Sequence, residues 1–220
     1  MLSEIIQSVQ IAITEASVMT GWEAVAVILA MAYLLLAMKT NIWCWAAAFA
    51  STAIYTVLFW KVSLLMESVL NVYYMAMAIY GFWLWRSTHQ TNSTDSAGNE
   101  LVITSWSLKT HLLLIGFTTV VSLIVGYFMA TKTTASFPYI DALTTCFAIM
   151  TTYLVAKKVL ENWLYWVVID FVSIYLYFQK GLMLTSGLFI LYVFMALSGY
   201  FMWRKKMQQT SSYHDLAVAS

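Results

Sequence analysis

The sequence predicts an all-α integral membrane protein with seven transmembrane helices in a 3+1+3 parallel repeat. Three observations predict this fold class: the composition, the spacing of the apolar runs and an internal repeat. Of the 220 residues, 62% are hydrophobic and 10% are charged, whereas soluble domains have roughly 45–50% apolar and 25% charged residues. The formal net charge is +1, so no strongly basic surface for nucleic acid is predicted.

Seven apolar runs have about the length of a membrane-spanning helix, which needs roughly 17–25 residues. They cover residues 22–38, 43–60, 64–85, 112–130, 139–156, 163–178 and 182–203. The remaining segments are predicted as an interfacial amphipathic helix (1–21), a polar cytoplasmic linker (87–110) and a disordered tail (207–220). Between them lie the first repeat (22–86), the connecting helix (111–131) and the second repeat (132–206).

The placement of lysine and arginine predicts the orientation of these helices. If the N-terminus is outside, eight of the eleven basic residues fall in cytoplasmic loops and three fall in outer loops. Cytoplasmic loops are normally the basic ones, so we expect a cytoplasmic C-terminus. Trp83, Trp85 and Trp203 each precede an arginine at the inner boundary and are expected to be interfacial anchors.

An internal repeat appears when the chain is compared with itself at an offset of 118 residues, and residues 23–86 then align with 141–204 without a gap. The matched pairs include Glu23/Asp141, Lys39/Lys157, Trp45/Trp163, Gly81/Gly199, Trp85/Trp203 and Arg86/Arg204. A single helix between two triplets gives both triplets the same orientation. Transporters are often built this way, with a midplane substrate site between the repeats; a duplicated scaffold without a transport role is the alternative.

The two repeats differ at polar positions near the middle of the membrane. Asp170 aligns with Thr52, and Asn71 aligns with Phe189. Glu67, a further polar residue, aligns with Thr185. This divergence is expected where the two repeats contribute different groups to one asymmetric ligand.

The sixth predicted helix carries the candidate site. Its polar and aromatic residues recur at steps of 3, 4, 3 and 4, which places them on one face of a helix: Trp163, Trp166, Asp170, Ser173 and Tyr177. An ionised carboxylate at the bilayer centre costs roughly 2.5–3.5 kcal/mol, so such a residue normally faces a cavity or a partner. A carboxylate among aromatic rings favours a flat organic cation. The alternative is that Asp170 hydrogen-bonds a neighbouring helix.

The first repeat supplies a second set of candidates. Glu67, Asn71 and Tyr74 lie on one face of the third helix, and Trp45 and Thr52 lie on the second. For Asn71 the alternative is an interhelical hydrogen bond, which contributes about 0.6 kcal/mol in membranes. Glu23 and Asp141 stand near helix N-termini, where negative charge is favourable, and we prefer that role to ligand binding.

Several of these runs resemble the PnuC-type vitamin transporters. The segments are ENWLYWVVID with the later FQKG, MESVLNVYYMAMAIYGFWLWR, GWEAV and YIDAL, within residues 22–204. The resemblance implies a SWEET-like 3+1+3 fold in the bacterial inner membrane and uptake of nicotinamide riboside or thiamine by facilitated diffusion. It also implies trimers, substrate trapping by an intracellular kinase, and substrate contacts at positions 67, 71, 163, 166 and 170.

Two positions depart from the nicotinamide riboside members, which commonly have Asn where this chain has Asp170 and Gln where it has Asn71. An amide side chain suits a carboxamide ligand, because both groups donate and accept hydrogen bonds. A carboxylate accepts a charge-assisted hydrogen bond from an amino group such as that of thiamine's aminopyrimidine. The sequence therefore slightly favours thiamine over nicotinamide riboside.

Other functional classes fit the residues less well. The three histidines, at positions 89, 111 and 214, are far apart in the sequence and form no H-E-x-x-H motif, so neither an enzyme nor a metal or cofactor site is predicted. The last helix has no lysine for a retinal Schiff base between residues 182 and 203. A SWEET-like sugar transporter is the better alternative, since Trp and Asn also bind sugars.

Overall fold

A computed structural model describes residues 21–61, 65–90, 101–133, 136–179 and 183–219. Residues 1–20 of the interfacial helix predicted for 1–21 lie outside these described residues, as do positions 91–100 of the predicted linker.

The described residues form seven α-helices, which confirms the predicted fold class. They are α1 (Gly21–Met38), α2 (Trp43–Lys61), α3 (Leu65–Gln90), α4 (Leu108–Lys132), α5 (Pro138–Ala156), α6 (Asn162–Gln179) and α7 (Met183–Ala219). Each predicted span coincides with one of these helices, apart from end residues 64 and 182, which lie outside the described residues.

The linker between the third and fourth helices is shorter at both ends than the predicted 87–110. Helix α3 continues to Gln90 because residues 87–90 contain neither glycine nor proline to end it. Helix α4 begins at Leu108, because the Ser107 side chain caps it by accepting a hydrogen bond from the backbone N–H of Thr110 at 3.3 Å.

The sequence-based prediction for the carboxyl-terminal tail is also wrong. Residues 207–219 were expected to be disordered, but α7 continues through them to Ala219. This stretch contains no glycine or proline, and the Thr210 hydroxyl donates to the Lys206 carbonyl one turn earlier at 3.1 Å. Polar composition alone does not end a helix whose backbone bonds continue.

Five of the described helices are both long enough and apolar enough to cross a membrane: α1, α2, α4, α5 and α7. The other two, α3 and α6, carry the polar faces identified in the sequence. The polar residues on one face lower the mean hydropathy of the whole helix, although the opposite face is apolar. These two helices therefore do not appear among the five.

The chain divides into two compact units. The α4–α6 unit comprises Trp106–Thr151 and Trp163–Leu197 among the described residues. The α1–α3 unit comprises residues 21–105, Thr152–Asn162 and the chain from Ser198 onward, so it includes the carboxyl ends of α5 and α7.

The core of the α1–α3 unit is built around Trp45. Its ring contacts Trp85 edge-on at a centroid distance of 5.4 Å and lies 6.2 Å from the Tyr33 ring. It also lies so close to Gly81 that a Cβ there would come within 2.3 Å of the indole. The absence of a side chain at Gly81 is therefore what lets α2 and α3 approach at this level.

The turns after α1 and α5 have the same pattern of backbone hydrogen bonds. Thr40 and Lys158, which align in the sequence repeat, both have the left-handed backbone, with φ of 54° and 52°. The N–H of Thr40 bonds the carbonyl three residues back at 2.9 Å, and that of Lys158 does so at 3.0 Å. The next residue in each turn bonds the carbonyl five residues back, at 2.9 Å after α1 and 3.0 Å after α5. Both helices thus end in a Schellman motif, at the offset of 118 found in the sequence.

Trp85 and Trp203 are not the interfacial anchors expected from the sequence. Both are buried; the Trp85 indole N–H donates to the Ala156 carbonyl at 2.9 Å, and that of Trp203 donates to the Ala37 carbonyl at 3.0 Å. Each indole therefore binds a carbonyl in the last turn of α5 or α1, and the Ala37 carbonyl accepts this bond in addition to the one from the Thr40 N–H. Trp83 is 64% exposed, as an interfacial residue should be.

Lys158 connects the turn after α5 to the chain before α4. Its ammonium donates to the Leu101 carbonyl at 3.0 Å and lies 4.6 Å from the centre of the Trp85 ring. Backbone bonds between Thr104 and the Lys158–Leu160 segment form a parallel β-bridge. The equivalent Thr40 accepts a hydrogen bond from the Lys206 ammonium at 2.6 Å instead.

Candidate substrate site

Helix α6 has the two faces that its sequence predicts. On the stripe, Trp163, Asp170 and Ser173 are buried, and Trp166 and Tyr177 are half-buried. The opposite side exposes Val168, Phe171, Tyr175 and Phe178. The helix therefore turns its polar and aromatic stripe inward and shows an apolar surface suited to lipid.

Asp170 is the most unusual residue of this stripe. It lies near the middle of α6 and is only 4% exposed. No hydrogen bond or ion pair joins its carboxylate to any other residue that the structure describes. The interhelical hydrogen bond that would give Asp170 a purely structural role is thus not seen in the described part of the chain. A buried carboxylate without such a bond is costly, and a cation or hydrogen-bond donor beside it would offset that cost.

Tyr177 belongs to an aromatic series that sequence reasoning only partly identified. Its ring stacks on Phe189 of α7 with centroids 5.1 Å apart, and Phe189 meets Tyr192 edge-on at 5.5 Å. Tyr192 could have been found, because it aligns with Tyr74 in the repeat. Phe189 aligns with Asn71, and its apolar side chain offered no comparable signal.

A hydrogen bond between α4 and α6 was also missed. Nδ1 of the buried His111 lies 2.9 Å from the hydroxyl of Tyr165, the residue just before Trp166. The Trp106 ring lies 6.4 Å from the imidazole. This contact ties the connecting helix to the amino-terminal end of the stripe. The one signal in the sequence was a histidine at the head of an otherwise apolar helix.

The candidates on α3 lie in the α1–α3 unit and differ in their surroundings. Glu67 is exposed, as expected for a residue near the end of a span. Asn71 is buried, and its amide nitrogen donates to the Glu67 carbonyl at 2.8 Å, which leaves the side-chain oxygen to accept. Tyr74 is half-buried with its ring 5.8 Å from that of Tyr73.

Trp45 and Thr52, the candidates on α2, have local roles. Trp45 is buried and forms the core contact with Gly81 and Trp85 described above. The Thr52 hydroxyl donates to the Ala48 carbonyl of its own helix at 2.8 Å. Packing accounts for the Trp45 ring and back-bonding for the Thr52 hydroxyl, whereas Nε1 of Trp45 is buried without a hydrogen-bond partner among the described residues.

The duplicated frame of apolar helices and the buried stripe of α6 are the features of a multi-pass membrane transporter. Residues 20–205 match the family model described as nicotinamide mononucleotide transporter. The chain belongs to that family, which confirms the PnuC-type resemblance, and it is a transporter and not an enzyme.

Individual relatives agree with this assignment. The nicotinamide riboside transporter PnuC of Escherichia coli (strain K12) is 24% identical over 182 residues, covering 74% of this chain and 76% of that protein. The Haemophilus influenzae protein of the same name is 28% identical over 150 residues, covering 66% and 62%. A crystal structure titled vitamin B3 transporter PnuC has a TM-score of 0.67 and 18% identity, covering 94% of this chain and 92% of the other. At that identity the structural match shows a shared fold.

Proposed function

We propose that this transporter takes up a small cationic vitamin across the bacterial cytoplasmic membrane by facilitated diffusion. Nicotinamide riboside is the first candidate and thiamine the second. The observation that supports a cationic substrate is Asp170, a carboxylate buried in the middle of a membrane helix and not hydrogen-bonded by the described residues.

The α6 stripe supplies each interaction that a flat cation needs. Asp170 provides the opposite charge, and Trp163 and Trp166 provide ring faces, whose attraction for a cation is about 0.5–2 kcal/mol. Ser173, one turn further along, offers a hydroxyl that both donates and accepts. Tyr177 and its stacked partner Phe189 bound the far end of the stripe.

Two arguments bear on the choice between the candidates. The curated relatives are named for nicotinamide riboside, which supports that substrate. Asp170 supports thiamine, because a carboxylate accepts a charge-assisted bond from an aminopyrimidine. The bond from Asn71 to the Glu67 carbonyl leaves an acceptor at Asn71, which fits an amino or a carboxamide N–H of either vitamin.

The remaining elements of the proposal follow from the sequence and the family. A substrate role for Glu67, Asn71, Tyr74, Trp45 and Thr52 stays a prediction. So do a trimeric assembly, trapping of the substrate by an intracellular kinase, and an outer N-terminus with a cytoplasmic C-terminus. The orientation is supported by the basic residues of the predicted cytoplasmic loops.

A ligand titration tests the proposal on the purified full-length protein. Nicotinamide riboside, thiamine and the uncharged reduced form of nicotinamide riboside are added in turn, and tryptophan fluorescence is recorded. We expect quenching at micromolar concentration or below for at least one cation. The reduced form should bind at least about tenfold more weakly than nicotinamide riboside if that cation is the ligand, since losing about 1.4 kcal/mol of charge interaction has that effect.

Three outcomes separate the possibilities. Quenching by nicotinamide riboside or by thiamine alone identifies the substrate. Equal binding of charged and reduced nicotinamide riboside would show that its positive charge is not recognised. If neither cation binds, while excess glucose protects the fluorescence from an external quencher, the proposal is wrong and the sugar alternative applies.

A further inference from the structure

A groove of about 710 Å³ lies between α2 and α3, inside the α1–α3 unit. Its volume is within the roughly 300–1,000 Å³ range of ligand pockets. The walls are apolar and include Ala46 and Phe49 of α2 and Ile79 and Trp83 of α3. All of these residues lie outside the α6 stripe, so the groove is a separate feature from the proposed substrate site.

The groove belongs to an exposed apolar surface of α2 and α3. Phe49, Ile79 and Trp83 are all exposed, with Ile79 at 60%. Large exposed apolar side chains on a membrane-spanning helix are covered by hydrocarbon rather than by water. The lining also includes the buried Trp45, which packs against Gly81.

The groove is polar at one end only. Its lining there consists of Arg86 and Ser87 in the last turns of α3, and Arg86 is its charged residue. The guanidinium is exposed, and the Ser87 hydroxyl donates to the Leu84 carbonyl of its own helix at 3.2 Å. A planar guanidinium at the end of a span binds a phosphate with two parallel hydrogen bonds.

We propose that this groove binds an anionic glycerophospholipid, with an acyl chain along the apolar wall and the headgroup phosphate at Arg86. The complementarity supports this occupant: the wall matches hydrocarbon, and the single cation sits where a headgroup would be. A neutral lipid would leave Arg86 without a charge partner. A second copy of the chain would need to bring an acidic group to the same place.

Native mass spectrometry of the purified, delipidated protein tests the assignment. Phosphatidylglycerol and phosphatidylcholine of the same acyl composition are added separately, and the retained lipids are counted. We expect a higher-affinity site for phosphatidylglycerol that Arg86→Gln weakens about fivefold, the effect of about 1 kcal/mol per basic residue at an anionic membrane surface. Ala46→Trp should remove binding of this lipid by filling the groove without changing its charge.

Arg204→Gln is the matched control, because Arg204 is the exposed residue that aligns with Arg86 in the other repeat. It should leave the high-affinity phosphatidylglycerol site intact. An equal loss in Arg86→Gln and Arg204→Gln would overturn the proposal, as would equal retention of the two lipids. If Ala46→Trp changes the mass of the assembly but not lipid retention, the groove is instead a contact between copies of the chain.

Discussion

The two repeats of this transporter are most alike where the backbone turns and least alike near the middle of the helices. Thr40 and Lys158 share a left-handed conformation and the same Schellman bonds. Ser68 donates to the Thr56 carbonyl at 3.0 Å, and the aligned Ser186 donates to the aligned Ile174 carbonyl at 3.3 Å. These equivalent contacts link neighbouring helices within each repeat.

The aligned positions at mid-helix behave differently. The Thr52 hydroxyl bonds its own helix, whereas the aligned Asp170 carboxylate has no such bond with the described residues. Asn71 bonds its own helix, whereas the aligned Phe189 stacks on Tyr177. The contacts between neighbouring helices are thus the same in both repeats, whereas these mid-helix positions have different side chains and different partners. We therefore expect substitutions at the shared turns and helix contacts to change the stability of the fold. Substitutions at the mid-helix positions should instead change the affinity for the substrate.

The largest effect is expected at the mid-helix position, from Asp170→Asn. This change should weaken binding of the cationic vitamin by about 1.5–3 kcal/mol, the contribution of a hydrogen bond to a charged group. The loss should be greater for thiamine than for nicotinamide riboside, because an amide still pairs with a carboxamide. Tryptophan fluorescence titration measures both affinities.

Asp141→Asn is the control for this measurement, because Asp141 lies in the first turn of α5 and is predicted to stabilise that helix end. Its binding affinity should match that of the unmodified protein. Unchanged affinity in Asp170→Asn would mean that Asp170 has a structural role, and the comparison of the repeats would then lose its functional meaning.

Gly81→Ala should produce the next largest effect, on stability. The new methyl group would lie 2.3–2.6 Å from three ring carbons of the buried Trp45. Overpacking of this kind costs about 1–3 kcal/mol, so the unfolding temperature should fall. Thermal unfolding in detergent, followed by fluorescence, measures the change.

Gly116→Ala provides the matched substitution in another helix. Among the described residues, no atom outside the adjoining backbone of α4 lies within 4 Å of the Cβ position at Gly116, and Ala is favoured over Gly in a helix by about 0.5–1 kcal/mol. This variant should therefore be slightly more stable than the unmodified protein. Equal destabilisation of the two variants would show that the contact between Gly81 and Trp45 is not the cause.

The smallest effects should come from the paired variants Thr40→Gly and Lys158→Gly. Glycine relieves the left-handed backbone at either turn, which costs other residues about 1–2 kcal/mol. Thr40 loses an exposed hydrogen bond, so we expect a gain of about 0.5–1 kcal/mol in the free energy of unfolding. Lys158 loses its bond to Leu101 and its contact with the Trp85 ring, so we expect a net loss of about 1 kcal/mol.

Opposite signs in these two variants would show that the same backbone turn has acquired different partners in each repeat. A gain in both would mean that the Lys158 side chain contributes little, and that the left-handed residue is merely tolerated. Denaturant unfolding with the two proteins in the same detergent makes the comparison direct.

Much of the fold could be predicted from the sequence because a bilayer imposes length and hydrophobicity on every span. The stripe of α6 could be predicted for a related reason, since a polar residue in a membrane helix must face away from lipid. The Tyr177–Phe189 stack and the His111–Tyr165 bond could not, because they depend on which helices become neighbours. The roles of Trp85 and Trp203 were misread, since a tryptophan beside an arginine matches both an interfacial anchor and a buried helix cap.

The sequence by itself therefore determined the seven helices, the register of the repeat and the inward face of α6, since each follows from local periodicity and from the cost of polar groups in hydrocarbon. The tertiary structure decided which tryptophans cap a helix end and which glycine leaves space for the tryptophan ring that packs against it. It also decided which carboxylate is buried without a hydrogen bond from the described residues. The physical reason is that capping, close packing and burial depend on distances between residues far apart in the chain.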